Sequence, residues 1–327
     1  MRQSGAGHER VSDLDFTGQV AVVTGSGRGI GYEYVRSLAS RGASVVVNDI
    51  GADVLGHGGD SSVADDVVRE IVTAGGAAVA STDDIATSEG GRALIEKAVD
   101  AFGRCDIVIH NAGSLTRGSF AEQDLDAVHQ VIATHLLGAF HVGQPAWRLM
   151  IEQGYGRVLL TSSAALFGAP DLTSYSAVKG GCVSLARALS LEAEGLDADI
   201  KVNVIAPTAH TRRSQFSHTN NAAAAHVDAA FGGRMHPANV AAVAMVLVHS
   251  SCPISGECVK AGGAAMSRIF TGMTRGWTSP HEQMTPQQAL EHLAESALEE
   301  GYFRPKSSAD TRELVLASID AAPGSAG

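Results

Sequence analysis

Tyr175 and Lys179 stand four residues apart in the stretch Tyr175-Ser-Ala-Val-Lys179, and a serine pair, Ser162 and Ser163, ends the apolar run before it. Residues at i and i+4 share one helical face, a turn apart. A free phenol ionises near pH ~10 and is a weak base at neutrality. A lysine ammonium at ~4 Å, at an effective dielectric of ~20, favours the phenolate by ~4 kcal/mol, roughly three pH units. The phenol then serves near neutral pH as a general acid/base. Such a pair is common on surface helices, so its meaning rests on the elements around it.

The run Gln19–Thr24 reads as a buried strand and leads into Thr24-Gly-Ser-Gly-Arg-Gly-Ile-Gly31, then a helix to Ser40. Strand, glycine-rich turn and helix set backbone N–H groups and a helix N-terminus against a pyrophosphate. Gly25 permits the tight turn, Gly29 close backbone approach and Gly31 close helix packing, with Arg28 and Ile30 between them. The strand Ala43–Asn48 ends at Asp49. A carboxylate there hydrogen-bonds the adenosine ribose and repels a 2′-phosphate, which favours NAD over NADP. Arg28 argues the other way, as a cation for that phosphate. Like-charge repulsion in a partly dry pocket is hard to offset, so Asp49 decides.

A glycine-rich excursion at 51–62 precedes a helix at 63–74 and the strand Ala77–Ser81. Asp84 and Ile85 follow, placed to meet the adenine edge. After a helix over 88–102, the strand Asp106–His110 runs into Asn111-Ala112-Gly113, a turn lying along the cofactor crevice. A helix over 121–151, with a possible break, carries His129, His135 and His141. Their spacing of six is not the i, i+4 pattern of metal ligands, so no metal is expected. Strand Arg157–Thr161, helix 175–194 and strand Lys201–Ile205, ending at Pro207, come next. Residues 208–237, with His210, His218, His226 and His236, read as a substrate-side loop; a helix at 238–249 and a strand near Glu257–Lys260 close the sheet.

Alternating strands and helices predict an α/β fold: a Rossmann-type, doubly wound parallel sheet in a single domain, with a C-terminal helical extension. The domain spans 16–265, after a disordered leader at 1–15 and before the extension at 266–327. From about Ala264 the chain is not expected to join the sheet. Thr285 caps a helix with Pro286 at its first position and Leu290, Leu293 and Leu298 as its apolar residues; packing on its own core is the expectation, with the substrate mouth or a neighbouring subunit as the alternatives. A net charge of −11 argues against nucleic acid or an anionic membrane as partner, and no apolar run reaches membrane-spanning length. Cys105, Cys182, Cys252 and Cys258 lack CxxC spacing, so neither zinc nor disulfides are implied. With no apolar leader and no C-terminal address, a cytoplasmic location is expected.

Thr24-Gly-x-x-x-Gly-Ile-Gly31, Asn111-Ala-Gly113, a serine before Tyr175-x-x-x-Lys179, and Asn203 before Pro207 occur in that order. Together they resemble the short-chain dehydrogenase/reductase family over roughly residues 15–265. VVVNDIG, AFGRCDIVIHNAG, YGRVLLTSS, IAPTAHTR and the Met-Thr-Pro helix start resemble the branch that oxidises (3R)-3-hydroxyacyl-CoA, some members of which oxidise hydroxysteroids. The further activities of multifunctional members would need domains outside these 327 residues.

The resemblance implies that Tyr175 takes the proton of a substrate hydroxyl while its carbon gives a hydride to NAD. Lys179 lowers the phenol pKa and holds the nicotinamide ribose, and a serine hydrogen-bonds the reacting oxygen. Asp49 binds the adenosine ribose, Asp84 and Ile85 the adenine, Asn111 with Ala112 and Gly113 the backbone side of the cofactor, and Thr211, beyond Pro207, the nicotinamide amide. A small-molecule substrate and a homodimer or homotetramer are implied as well. His135 stands where the family has a relay asparagine, either serving the relay or only packing. Pro207-Thr208 replaces the usual Pro-Gly. Counting thirteen residues back from Tyr175 gives Ser162, whereas matching forward from the strand gives Ser163. A deletion is absorbed more easily in a loop than in a strand, which favours Ser163. Other cyclic or terpenoid alcohols, or a silent NAD sensor, are the competing readings.

Overall fold

The computed structural model describes residues 14–212 and 230–320, apart from Pro280, Glu282 and residues 297–300. It divides into two compact units, Met1–Arg268 and Ile269–Gly327. The first is built on β1 (Val20–Thr24), β2 (Ser44–Asn48), β3 (Ala77–Ser81), β4 (Ile107–His110), β5 (Tyr155–Thr161), β6 (Asp199–Thr208), β7 (Cys258–Gly262) and β8 (Ala265–Ile269). The strand order is β3-β2-β1-β4-β5-β6-β7-β8, and the pairings from β3 to β7 are parallel. Helices α1 (Gly29–Ala39), α2 (Ser62–Thr73), α3 (Ser88–Phe102), α4 (Leu125–Ile132), α5 (Gly138–Gln153), α6 (Thr173–Ala193) and α7 (Ala238–Val248) lie between the strands in sequence.

The inner strands are continuous apolar runs because both sheet faces are covered. On one face Val23, Val45, Val47, Ile107 and Ile109 pack with Leu38 of α1 and Val240 and Ala244 of α7. On the other, α3 packs along α5, and α6 lies on β6. The strand order reverses between β1 and β4, which opens a crevice at their carboxyl ends.

Two features depart from the sequence reading. The chain after Ala264 adds β8 to the sheet instead of leaving it. Gly263 (φ 63°) and Ala264 (φ 58°) link β7 to β8, and successive positive φ values suit a tight hairpin, so the sheet is mixed rather than wholly parallel. The helix suggested over 121–151 begins at Leu125, and α4 and α5 are joined by a π turn, Ala133–Leu137. A π turn inserts a residue into the helical ladder and widens it locally. His110, at the end of β4, donates from Nε2–H to the His135 carbonyl inside this turn at 3.0 Å.

The second unit contains α8 (Pro286–Ser296) and α9 (Ser308–Asp320), the latter unforeseen. Thr285 Oγ1 accepts the Gln288 N–H at 3.2 Å while Gln288 Oε1 accepts the Thr285 N–H at 3.0 Å, a reciprocal cap. The expectation that α8 buries its leucines is corrected: Leu290 is 75% and Leu293 63% exposed. Leu298, residues 1–13 of the leader, the end of the tail and most of the loop at 208–237, with His218 and His226, lie outside the described residues.

Arg157 of β5 is fully buried, and its guanidinium bonds the Gly156, Asp199 and Ser250 carbonyls and the Asp199 carboxylate. Removing one partner of such a group leaves buried polar atoms unmatched. Arg157→Ala is therefore expected to lower the unfolding free energy by about 3–5 kcal/mol in a denaturant titration.

Burial, then the Lys179 charge, push the His110 imidazole down to about 4 from 6.5, against the opposing pull of the His135 and Thr134 carbonyls. The unfolded chain thus binds more protons between those pH values, so this stabilisation is complete above pH 6.5 and lost as pH falls towards 4. Between neutral pH and pH ~4 the wild type should lose about 3 kcal/mol more stability than His110→Gln, measured by denaturation at each pH.

Candidate active site

The crevice holds a cleft of about 500 Å³. Among the residues lining it are Gly25, Arg28, Gly29, Ile30, Asp49, Asp84, Ile85, Asn111, Ala112, Gly113, Ser162, Ser163, Tyr175, Pro207 and Thr211. Gly31, His135 and Lys179 are not among its lining; they stand behind it, and all three are buried.

The glycine turn is tied to β4 by side chains. Thr24 Oγ1 accepts the backbone N–H groups of Asn111 and Ala112, each at 3.0 Å. Asn111 Nδ2 donates to the Thr24 and Gly25 carbonyls at 3.1 and 2.9 Å, so its side chain holds the turn itself. Gly31 has no room for a side chain: a Cβ there would lie 2.2 Å from the Gly25 carbonyl oxygen. Thr211, from the chain after β6, reaches the turn, its Cγ2 3.5 Å from where a Gly29 Cβ would sit.

At the end of β2, Asp49 accepts the Gly27 N–H at 2.9 Å and the Gly51 N–H at 2.8 Å. The excursion that follows is a closed loop, with the Asp60 N–H on the Ile50 carbonyl at 3.0 Å. Its Ala52, Asp53, Val54 and Gly56 also line the cleft, and the Val54 carbonyl accepts the Leu115 N–H at 3.2 Å. Its glycine content and its length mark this loop in the sequence, but not its place at the cleft. Arg212 lines the same end. Burial first, then the like charge of Arg28, lower its pKa, while Asp49 and Asp53 oppose the shift. No motif singles out Arg212, which directly follows Thr211 in the chain.

Deeper in the crevice, Tyr175 stands in the first turn of α6 and Lys179 one turn on; they are 6% and 2% exposed. Lys179 Nζ lies 5.4 Å from the Tyr175 ring centroid and donates to the Thr161 carbonyl at 2.5 Å. The two serines part company. Ser162 is buried, and its Oγ–H donates to the Lys179 carbonyl at 2.7 Å. Ser163 is half-buried, begins a short 3₁₀ turn and accepts the Ala165 N–H at 3.2 Å. His135 sets its ring edge-on to Tyr175, with centroids 5.4 Å apart, and its Nε2–H donates to the Ser114 carbonyl at 2.8 Å. Gly113 allows this approach, since a Cβ there would fall 2.0 Å from His135 Cε1. Pro207 and Thr208 continue β6 beside β7, in register with Ala261 and Gly262, after the pairing with β5 has ended at Ile205. A proline without an N–H is tolerated there because no strand faces that side.

The family model for short chain dehydrogenases matches residues 19–223. Peroxisomal multifunctional enzyme type 2 of Mus musculus is 38% identical over 282 residues, covering 84% of this chain and 36% of its own length. The solved structure of full-length peroxisomal multifunctional enzyme type 2 from Drosophila melanogaster superposes with a TM-score of 0.75 at 26% identity, over 94% of this chain and 50% of that one. A 7α-hydroxysteroid dehydrogenase complexed with NADH and 7-oxo glycochenodeoxycholic acid superposes with a TM-score of 0.67 at 27% identity, over 77% of this chain and 95% of that one. The chain thus spans about a third of the mouse relative and half of the fly relative. These peroxisomal relatives overturn the expected cytoplasmic location, which rested on missing signals alone. With a glycine turn, a crevice at the strand-order reversal and a matching family model over most of its length, the chain belongs to the short-chain dehydrogenase family of oxidoreductases, which use nicotinamide dinucleotides.

Proposed function

We propose that the chain is an NAD-dependent dehydrogenase interconverting a secondary alcohol and a ketone, with a 3-hydroxyacyl-CoA or a hydroxysteroid as substrate. The observation that carries this reading is the buried Lys179 ammonium, 5.4 Å from the ring of Tyr175, at a cleft walled by the glycine turn. A bound nicotinamide dinucleotide supplies the hydride acceptor. In this reading Tyr175 accepts the hydroxyl proton as the alcohol is oxidised and returns it in the reverse direction. Lys179 favours the phenolate and holds the nicotinamide ribose. Ser163 hydrogen-bonds the reacting oxygen, because the Ser162 hydroxyl is engaged with the Lys179 carbonyl. His135 buttresses the Tyr175 ring.

The cradle fits such a cofactor. The Gly25–Gly31 contact brings the α1 N-terminus to the crevice, where it suits a pyrophosphate. Asp49, anchored by two backbone N–H groups, suits a ribose diol. Arg28 and Arg212 line the same end of the cleft, so the assignment of NAD rests on the repulsion between the Asp49 carboxylate and a 2′-phosphate. The enzyme acts on a small molecule, and we take a homodimer or homotetramer as its assembly, as is common in the family.

NADH formation with a panel of (3R)-3-hydroxyacyl-CoA thioesters and hydroxysteroids tests the reading. Turnover is expected on one class. Tyr175→Phe should lower kcat by about a hundredfold or more. Ser163→Ala should lose activity on a similar scale, whereas Ser162→Ala should retain much more; the opposite order would reassign the serine. Silence of the wild type across the panel, with NAD bound, would retire both substrate classes.

Wild type is expected to prefer NAD over NADP in kcat/KM. Asp49→Asn, which removes the charge and keeps an oxygen for one of the two N–H groups, should narrow that preference by about tenfold, the scale of one screened unit charge. A wild type favouring NADP would overturn the cofactor assignment.

A further inference from the structure

We propose that His110 is a positioning residue for the catalytic pair, acting through the His135 carbonyl and through a water molecule bound at its own Nδ1. This rests on the dehydrogenase reading above, for which His110 has no assigned part. The ring is 2% exposed and ends β4, one residue before Asn111. Its Nε2 lies 3.0 Å from the His135 carbonyl oxygen. A carbonyl only accepts, so Nε2 carries the proton and Nδ1 is left as an acceptor. Nδ1 is buried and meets no protein donor among the described residues. An unmatched acceptor inside a protein is costly, and an ordered water is its usual partner.

The surroundings explain why a fixed imidazole matters here. The His135 carbonyl belongs to the π turn and is also approached by Cys182 Sγ of α6 at 3.9 Å, three residues beyond Lys179. The same residue's ring stands edge-on to Tyr175. His110 thus braces from behind the turn that braces Tyr175 from the side. It is wedged in place, since a Cβ on Gly138 would come within 3.2 Å of its Cε1. The titratable groups facing this knot are Lys179, Tyr175 and Cys182 from α6 and His135 from the π turn. Burial first, and then the cation Lys179, keep the imidazole neutral and its Nδ1 unprotonated.

Three variants of the full chain separate the parts of the proposal. His110→Phe keeps ring volume and removes both polar contacts. His110→Gln keeps an N–H of similar reach with an oxygen acceptor, and His110→Asn keeps a polar group near Nδ1 that is too short for the His135 carbonyl. The expected result for His110→Phe is a kcat lower by about ten- to a hundredfold, with the KM for NAD unchanged. His110→Gln should recover most of kcat and His110→Asn less. A high-resolution crystal structure of the wild type should show a water within hydrogen-bond distance of Nδ1. Wild-type kcat in His110→Phe, a loss in kcat equal in all three variants, or Nδ1 bonded to a protein group would each overturn the proposal. If His110→Phe does not fold, the comparison of Gln with Asn decides. If the wild type oxidises no alcohol in the panel, the dehydrogenase reading fails, while the water at Nδ1 is still settled by the crystal structure.

Discussion

The buried ammonium of Lys179 is the constraint on which the rest of the site depends. A charge removed from water costs several kcal/mol unless nearby dipoles and acceptors replace its hydration. The end of β5 supplies one of these acceptors, the Thr161 carbonyl, at 2.5 Å. That single contact links sheet to site, because the carbonyl points at α6 only if β5 ends where it does. Ser162, next along the chain, bonds the Lys179 carbonyl, so strand end and helix are joined twice within two residues. Around the cation, a neutral imidazole and a phenol are the compatible neighbours, and His110 and Tyr175 provide them.

The glycine turn is governed by steric exclusion rather than by charge. Asn111 and Thr24 form a small polar knot that closes β1 onto β4, and Gly31 lets α1 approach it without a side chain in the way. The knot lies where the strand order reverses, so the opening left by the fold becomes a cleft with rigid walls. Asp49 adds a third tie, from β2 to the same turn. Three adjacent strands thus converge on one loop, which keeps its N–H groups oriented before any ligand arrives.

Much of this was legible in the sequence because the relevant signals are local. Apolar β-branched runs mark β1, β2 and β4, and Gly25 to Gly31 mark the turn. β8 was not legible: Ala-Met-Ser-Arg-Ile carries almost no β-branched character, and it is a strand because the Gly263-Ala264 hairpin lays it against β7. The π turn was equally hidden, since Ala-Thr-His-Leu-Leu reads as ordinary helix and its extra residue is a consequence of tertiary contacts at His135. Location was misread for a different reason. The reading rested on signals that were not found, and a missing signal does not fix a compartment.

The two serines show why spacing rules need the strand beneath them. Counting from Tyr175 selects Ser162, but spacing along a chain fixes no direction. Pleating does: neighbouring residues at a strand end point to opposite sides. Ser162, whose N–H is bonded to the Ile205 carbonyl of β6, turns its hydroxyl back to α6. Ser163 therefore turns the other way, and its extended backbone (φ −162°, ψ 161°) carries the chain into the short turn that edges the cleft. A one-residue deletion in the loop before Tyr175 leaves this alternation untouched, whereas one inside β5 would swap the two hydroxyls and break the bond between Ser162 and Lys179. The strand, not the count, is what the chemistry constrains.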